Sequence, residues 1–397
     1  MLRVKDISIN NVFDDATIDK DDMRLIDQII SEKDFLSNND LGYIRTLESE
    51  FQNYLEIDNV FTFAKSRHAL SAILDAMELK PEDEVIIQAW TCVVVVNSVL
   101  ISGLKPVYCD IELETFGPDI DSIKKQVTNR TKVIITQHSY GIVCRDYQQI
   151  LDFAKENNIR VIDDCAQSIG AKYNERSLGF LSSAAFYSMQ HSKVISAGDG
   201  GIAVTNEEEL SSNLQKIQEK SAHMDYQWSI NTLYCIKRIY MSNKSKILGR
   251  AYYEYYSRTN KNCPVNIDEK EVRGEFINSY IRKMPEPLAK LAINQLFKID
   301  KIHSKRSTLA GYYSEWASEN DISYPMDNSK SHSVFLWFPM IIKEDHIKKL
   351  RDDFGSTINI GRQSAFLSGG SFCRQPKEIN LPNASNALKN LIYLPCY

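Results

Sequence analysis

Lys132-Val133-Ile134-Ile135-Thr136, a stretch from Asp146 to Asn157 carrying Ile150, Leu151 and Phe153, then Arg160-Val161-Ile162-Asp163-Asp164: this run decides the fold. Two continuous apolar strands joined by a helix read as a parallel pair buried on both faces. The pattern extends outward on both sides. Leu70, Ile73, Leu74 and Met77 fall at helical spacing, so Ser66 to Leu79 reads as an amphipathic helix that ends near Lys80-Pro81. Glu84-Val85-Ile86-Ile87 and Pro106-Val107-Tyr108-Cys109-Asp110 read as further strands, with apolar residues from Val93 to Leu100 between them. The expected class is α/β, with a large domain over residues 1–250 and a smaller mixed α+β domain over 251–397. In the latter part a helix is expected from Pro287 to Arg306 and a strand over Ser333 to Phe338.

Bulk properties exclude several functions. The chain has 397 residues, 43% apolar and 25% charged, with a formal net charge of −5. Neither that balance nor any basic run interleaved with aromatics points to nucleic acid. The apolar stretch from Cys92 to Ile101 is too short to span a bilayer, and the start Met1-Leu2-Arg3-Val4-Lys5-Asp6 lacks a signal-peptide core. Eight cysteines are scattered without CxxC spacing, so no zinc site and no disulfide framework is signalled. A reducing cytoplasm is the expected compartment.

Three segments carry candidate chemistry. Ala64-Lys65-Ser66-Arg67-His68 joins a strand to a helix, which puts Ser66 and Arg67 where free N–H groups and the helix dipole favour a phosphate. Taken alone, the segment reads more simply, with Ser66 as a plain helix cap and Arg67 as a solvated charge. Asp164-Cys165-Ala166-Gln167 sets an acid and an amide beyond a strand end, where ligands of parallel sheets sit. Lys193 lies between Phe186-Tyr187-Ser188 and Gly198-Asp199-Gly200-Gly201, an odd place for a solvated charge. A lysine amine in apolar surroundings can act as a nucleophile.

Together with Pro81-Glu82-Asp83-Glu84-Val85-Ile86, Gly103 to Asp110, Gln137-His138-Ser139-Tyr140-Gly141 and Ile162 to Ala171, these segments resemble the DegT/DnrJ/StrS family of nucleotide-sugar aminotransferases. The resemblance implies the pyridoxal-phosphate-dependent fold type I, with a sheet of the seven-stranded type. It implies that Lys193 holds the cofactor as a Schiff base and shuttles the proton, with Asp164 on the pyridine nitrogen and Gln167 on the ring hydroxyl. Ser66, Arg67 and Ser188 would bind the phosphate. It further implies L-glutamate as donor, a nucleotide-linked ketosugar as acceptor, and a homodimer whose subunits share active sites. The sugar, the nucleotide and the carbon aminated, C3 or C4, stay open.

The chain departs from the family pattern at named positions. Ser66-Arg67 stands where Gly-Thr is usual. Cys92 stands where an aromatic residue stacks on the cofactor, with Trp90 on the same strand face by parity as a replacement. Ile281 stands where the partner subunit usually supplies an asparagine, leaving Asn278 or Arg282 as stand-ins. Residues 208–272 read as a longer insertion, a solvated helical segment or a basic surface hairpin around Ile236-Lys237-Arg238-Ile239-Tyr240. The chain stops at Tyr397, where relatives continue into a final helix. Two other readings stand beside the transaminase. One is a catalytically silent cofactor-binding regulator or scaffold. The other is a pyridoxamine-phosphate-dependent sugar dehydratase, whose relatives carry histidine in place of Lys193.

Overall fold

The computed structural model describes residues 17–32, 35, 42–243, 281–354, 360 and 380–396. Strands in chain order are β1 Asn59–Phe63, β2 Glu84–Gln88, β3 Lys105–Cys109, β4 Thr131–Gln137, β5 Arg160–Cys165, β6 Lys172–Tyr173, β7 Arg176–Ser177, β8 Ala184–Ser188, β9 Gly201–Thr205, β10 Ala222–His223 and β11 Arg282–Lys283. Nine of them form one sheet in the order β10-β11-β1-β9-β8-β5-β4-β2-β3. Pairings β2–β3, β2–β4, β4–β5 and β5–β8 are parallel. Strand β9 runs against both β8 and β1. The sheet is therefore mostly parallel, with β10 and β11 added as two-residue strands at one edge.

Alternation along each strand feeds two apolar layers. Ile86, Ile134 and Val161 pack in one, while Val85, Ile87, Val133, Ile135 and Ile162 pack in the other. Helix Ser66–Ala76 is buried on nearly all sides because it is pressed between strands β8 and β9 and helices Val93–Ile101 and Glu208–Lys220. Strand β9 reaches its place only because residue 201 has no side chain. A Cβ there would lie 2.3 Å from the Lys65 carbonyl oxygen and 2.4 Å from the Ser66 Cα. Gly201→Ala is expected to destabilise the chain by about 1–3 kcal/mol, because two backbone segments must part. Denaturant unfolding of wild type and variant checks this.

Several elements differ from the sequence reading. The helix expected over Pro287–Arg306 is two helices, Glu286–Leu296 and Ile299–Glu319, parted at Phe297-Lys298. The strand expected over Ser333–Phe338 begins only at Trp337 and runs to Ile341 (β13, after the two-residue β12, Ser331–His332). Residues 333–336 are diverted by a tertiary contact, since the Val334 N–H donates to the Gly141 carbonyl at 2.9 Å. Strand β2 ends at Gln88, so Trp90 and Cys92 lie in a connection and the parity argument relating them does not hold. Strand β13 pairs antiparallel with β14, Leu391–Pro395, and packs with Leu309, Tyr313, Trp316, Ile347 and Leu350 into a third apolar cluster. Beyond residue 250 the chain rejoins the large sheet at β11, and Leu288, Leu291 and Ala292 enter its core.

Helix Tyr226–Asn243 carries the run Ile236 to Tyr240. Ile236 and Ile239 are buried and Lys237 pairs with Asp27, so this part of the segment turns its apolar face inward rather than to a surface. Residues 244–272, with Lys244, Lys246 and Arg250, lie outside the described residues, as do Asn278 and Tyr397. No helix among the described residues is long and apolar enough to cross a membrane.

Candidate active site

A cleft open to solvent lies beyond the carboxyl ends of β1, β2, β4, β5 and β8. Each strand end contributes one wall. From β1 come Ser66 and Arg67, from the β2 connection Trp90 and Cys92, and from β4 Gln137, Ser139 and Tyr140. Strand β5 supplies Asp164 and Gln167, and β8 leads to Gln190 and Lys193. Six of the seven residues singled out from sequence thus meet around one space. Ser188 is the exception: it is buried at the end of β8, outside the cleft lining, and its hydroxyl accepts the Gln190 N–H at 3.4 Å.

Asp164 is 6% exposed. Burial pushes its carboxyl up to about 6, against the Ala166 N–H that donates to Oδ1 at 3.0 Å and the nearby Lys193 charge. Gln167 is oriented by a backbone bond. Its Oε1 accepts the Tyr140 N–H at 2.6 Å, so its amide nitrogen is the group left to donate elsewhere. Tyr140 holds that position with φ +60°, a left-handed conformation a tyrosine adopts only where its surroundings impose it. Its hydroxyl accepts the Trp90 Nε1–H at 3.1 Å, so these two rings form one wall.

A buried amide network sets that wall. Gln88 Nε2 donates to the Trp90 carbonyl at 2.6 Å, and Gln137 Nε2 reaches the same oxygen at 3.2 Å. Gln137 Oε1 accepts the Thr91 hydroxyl at 2.6 Å, and Ser139 Oγ donates to the Phe116 carbonyl at 2.8 Å. The sequence reading gives these residues no role, although Gln137 to Gly141 already stands out as a motif. It also passes over Asp199, which lines the cleft and pairs with Lys65 at 3.1 Å. Behind Ser66, His68 is held well below the usual imidazole range by burial and then by Lys65, Arg67 and Arg282. It is neutral there, so the positive charge at this helix start comes from lysine and arginine.

The donor set fits pyridoxal phosphate. A helix N-terminus with a serine and an arginine suits a phosphate, a buried carboxylate suits a pyridinium N–H, an oriented amide N–H suits a ring oxygen, and an amine shares the space. Among the described residues no group of three or more metal-ligating side chains comes together.

Fold and cleft define the class of fold-type-I pyridoxal-phosphate proteins. Within that class the chain belongs to the DegT/DnrJ/EryC1/StrS aminotransferase family, whose model matches residues 16–397. It is 34% identical over 205 residues to the "Pleiotropic regulatory protein" of Geobacillus stearothermophilus, covering 51% of this chain and 54% of that protein. It is 33% identical over 169 residues to GDP-perosamine synthase of Escherichia coli O157:H7, covering 43% and 46%. The chain thus spans about half the length of these relatives in the matched region. The structure of ntda from Bacillus subtilis with bound cofactor PMP superposes with a TM-score of 0.72 at 23% identity, over 98% of this chain and 82% of that one. At that identity the likeness speaks for the fold.

Proposed function

We propose that this chain is a pyridoxal-phosphate-dependent aminotransferase that moves an amino group from L-glutamate to C3 or C4 of a nucleotide-linked ketosugar. It would serve surface-polysaccharide or related amino-sugar biosynthesis, as a cytoplasmic homodimer with shared active sites. The observation that carries the reading is the convergence of Lys193, Asp164, Gln167, Ser66 and Arg67 on one cleft. When bound, the cofactor supplies an electron sink and a carrier for the amino group.

The chain's own residues do the rest. Ser66, Arg67 and the free N–H groups of the helix start hold the phosphate. Asp164 keeps a proton on the ring nitrogen, and Gln167 donates to the ring oxygen. The Lys193 amine takes a proton from the donor carbon and returns one to the acceptor, acting as base and then acid. Trp90, Phe186 and Tyr140 line the cleft with apolar surface that limits water at that transfer.

Incubation with glutamate and a panel of nucleotide-linked 3- and 4-ketosugars is expected to yield an amino sugar, seen by mass. Turnover of a non-sugar ketone with the whole panel unmodified would overturn the substrate class. A second reading, a cofactor-binding regulator, draws on Cys92 and Ile281 and on the name of the Geobacillus relative. The presence of both Lys193 and Asp164 weighs against it, and the same assay separates the two.

A further inference from the structure

The loop that carries Lys193 is held mostly by itself. Met189 N–H donates to the Gly200 carbonyl at 2.9 Å, His191 N–H to Gly198 at 3.2 Å, Lys193 N–H to Gln190 at 2.9 Å and Ala197 N–H to Met189 at 2.9 Å. Two ties reach far along the chain: Asp199 pairs with Lys65 at 3.1 Å, and the backbone at Ser196 is held by a distant side chain. Ser196 N–H donates to Gln295 Oε1 at 3.2 Å, across 99 residues. Gln295, on helix Glu286–Leu296, is fully buried.

Its carboxamide has a single workable orientation. Nε2 donates to Asp22 Oδ2 at 2.7 Å and to the Thr17 carbonyl at 3.3 Å, both of which can only accept. The oxygen must therefore face Ser196. Asp22 is itself fully buried and fixed by Lys298 at 2.7 Å, by Asn294 at 2.7 Å and by the Asp19 N–H at 2.9 Å. One amide side chain thus joins the Lys193 loop to the start of helix Lys20–Ser31, some 170 residues earlier in the chain.

We infer that Gln295 is a positioning residue for Lys193: by tying the Ser196 backbone to the Thr17–Asp22 segment, it sets how firmly the amine is presented to the cofactor. The inference rests on the reading of Lys193 as the cofactor-bearing lysine. Glycine at 198 leaves little slack on the other side of the loop, since a Cβ there would meet Thr232 Cγ2 at 2.5 Å and Ile236 Cδ1 at 2.8 Å. A loop wedged on one side and tied on the other has a defined height in the cleft.

The test compares Gln295→Met, Gln295→Glu and Ser196→Ala. Gln295→Met removes the tie while keeping volume, and should raise the cofactor dissociation constant, measured by equilibrium dialysis, about tenfold. It should also shift the pH at which the visible band of lysine-bound cofactor changes, and speed amide exchange at Ser196 in the cofactor-free chain. Ser196→Ala keeps the N–H and removes a hydroxyl that has no partner among the described residues, so all three readouts should match wild type. Gln295→Glu sets a carboxylate against Asp22, with Asp19 and Lys298 the other charged groups alongside. Its cofactor affinity should recover as pH falls, when the introduced carboxyl takes up a proton and can again donate.

A folded Gln295→Met protein with unchanged affinity, band titration and exchange overturns the inference. If that variant does not fold, an affinity of Gln295→Glu that tracks wild type at every pH does the same. Failure of the underlying reading looks different: Lys193→Ala would then keep the visible band while the Gln295 variants behave in any manner.

Discussion

Lys193→Ala is expected to lose the visible absorption band of the bound cofactor and to slow the glutamate half-reaction by at least about 10²–10⁴-fold. The chain should stay folded, because Val194, Ile195 and Ala197 supply the loop's core contacts while Lys193 itself is only half-buried. Lys193→Arg keeps the positive charge beside Asp164 but offers no amine able to attack a carbonyl. It should fail like alanine in the spectrum. An unchanged spectrum in either variant would sink the assignment of Lys193.

Asp164→Asn should have two effects of opposite sign. With cofactor present, loss of the carboxylate facing the ring nitrogen should slow the half-reaction at least about a hundredfold. Without cofactor, the variant should be the more stable protein at high pH. Burial raises the Asp164 carboxyl from 3.8 to about 6, so the native chain holds this proton more tightly than the unfolded chain. The favourable contribution is present below about pH 4 and is lost as pH rises from about 4 to about 6. Above that window an ionised Asp164 costs the fold up to about 3 kcal/mol, and asparagine removes the cost. Denaturant midpoints of the cofactor-free proteins at about pH 5 and about pH 8 check the sign: the gap in favour of Asn should widen with pH. A gap of equal size at both values would refute it.

How much of this was legible in the sequence depends on how local each signal is. Strands β2 to β5 and the helix between β4 and β5 follow from short apolar periods, and their boundaries shift by only a residue or two, whereas helix Ile120–Gln126 is too short to show a period. That Lys193, Asp164 and Gln167 share one cleft was legible because they lie at or shortly after the carboxyl ends of β5 and β8. The break at Phe297-Lys298 was not, since Leu296 and Ile299 continue the buried face across it and neither glycine nor proline marks the stop. The wall made by Trp90 and Tyr140 depends on Gln88 and Gln137, whose amides fold toward the Trp90 carbonyl across 47 residues in the latter case. Buried polar networks of this kind have no period to read. Ser188 is placed by a local bond that the motif does not show: its hydroxyl accepts the Gln190 N–H at the buried end of β8, outside the lining.

The pairing of β1 with β9 has a kinetic consequence. Asn59 bonds to Thr205 over a separation of 146 residues, and the strands meet in register from Asn59↔Thr205 to Phe63↔Gly201. The helix start at Ser66, proposed to hold the phosphate, follows directly on β1, and the Lys193 loop directly precedes β9. Closing so long an interval is among the most entropically demanding steps of chain assembly. The parallel strands β2 to β5 lie wholly inside it and can collapse first. Cofactor capture therefore reports on the last stage of refolding: secondary structure should recover ahead of the visible band.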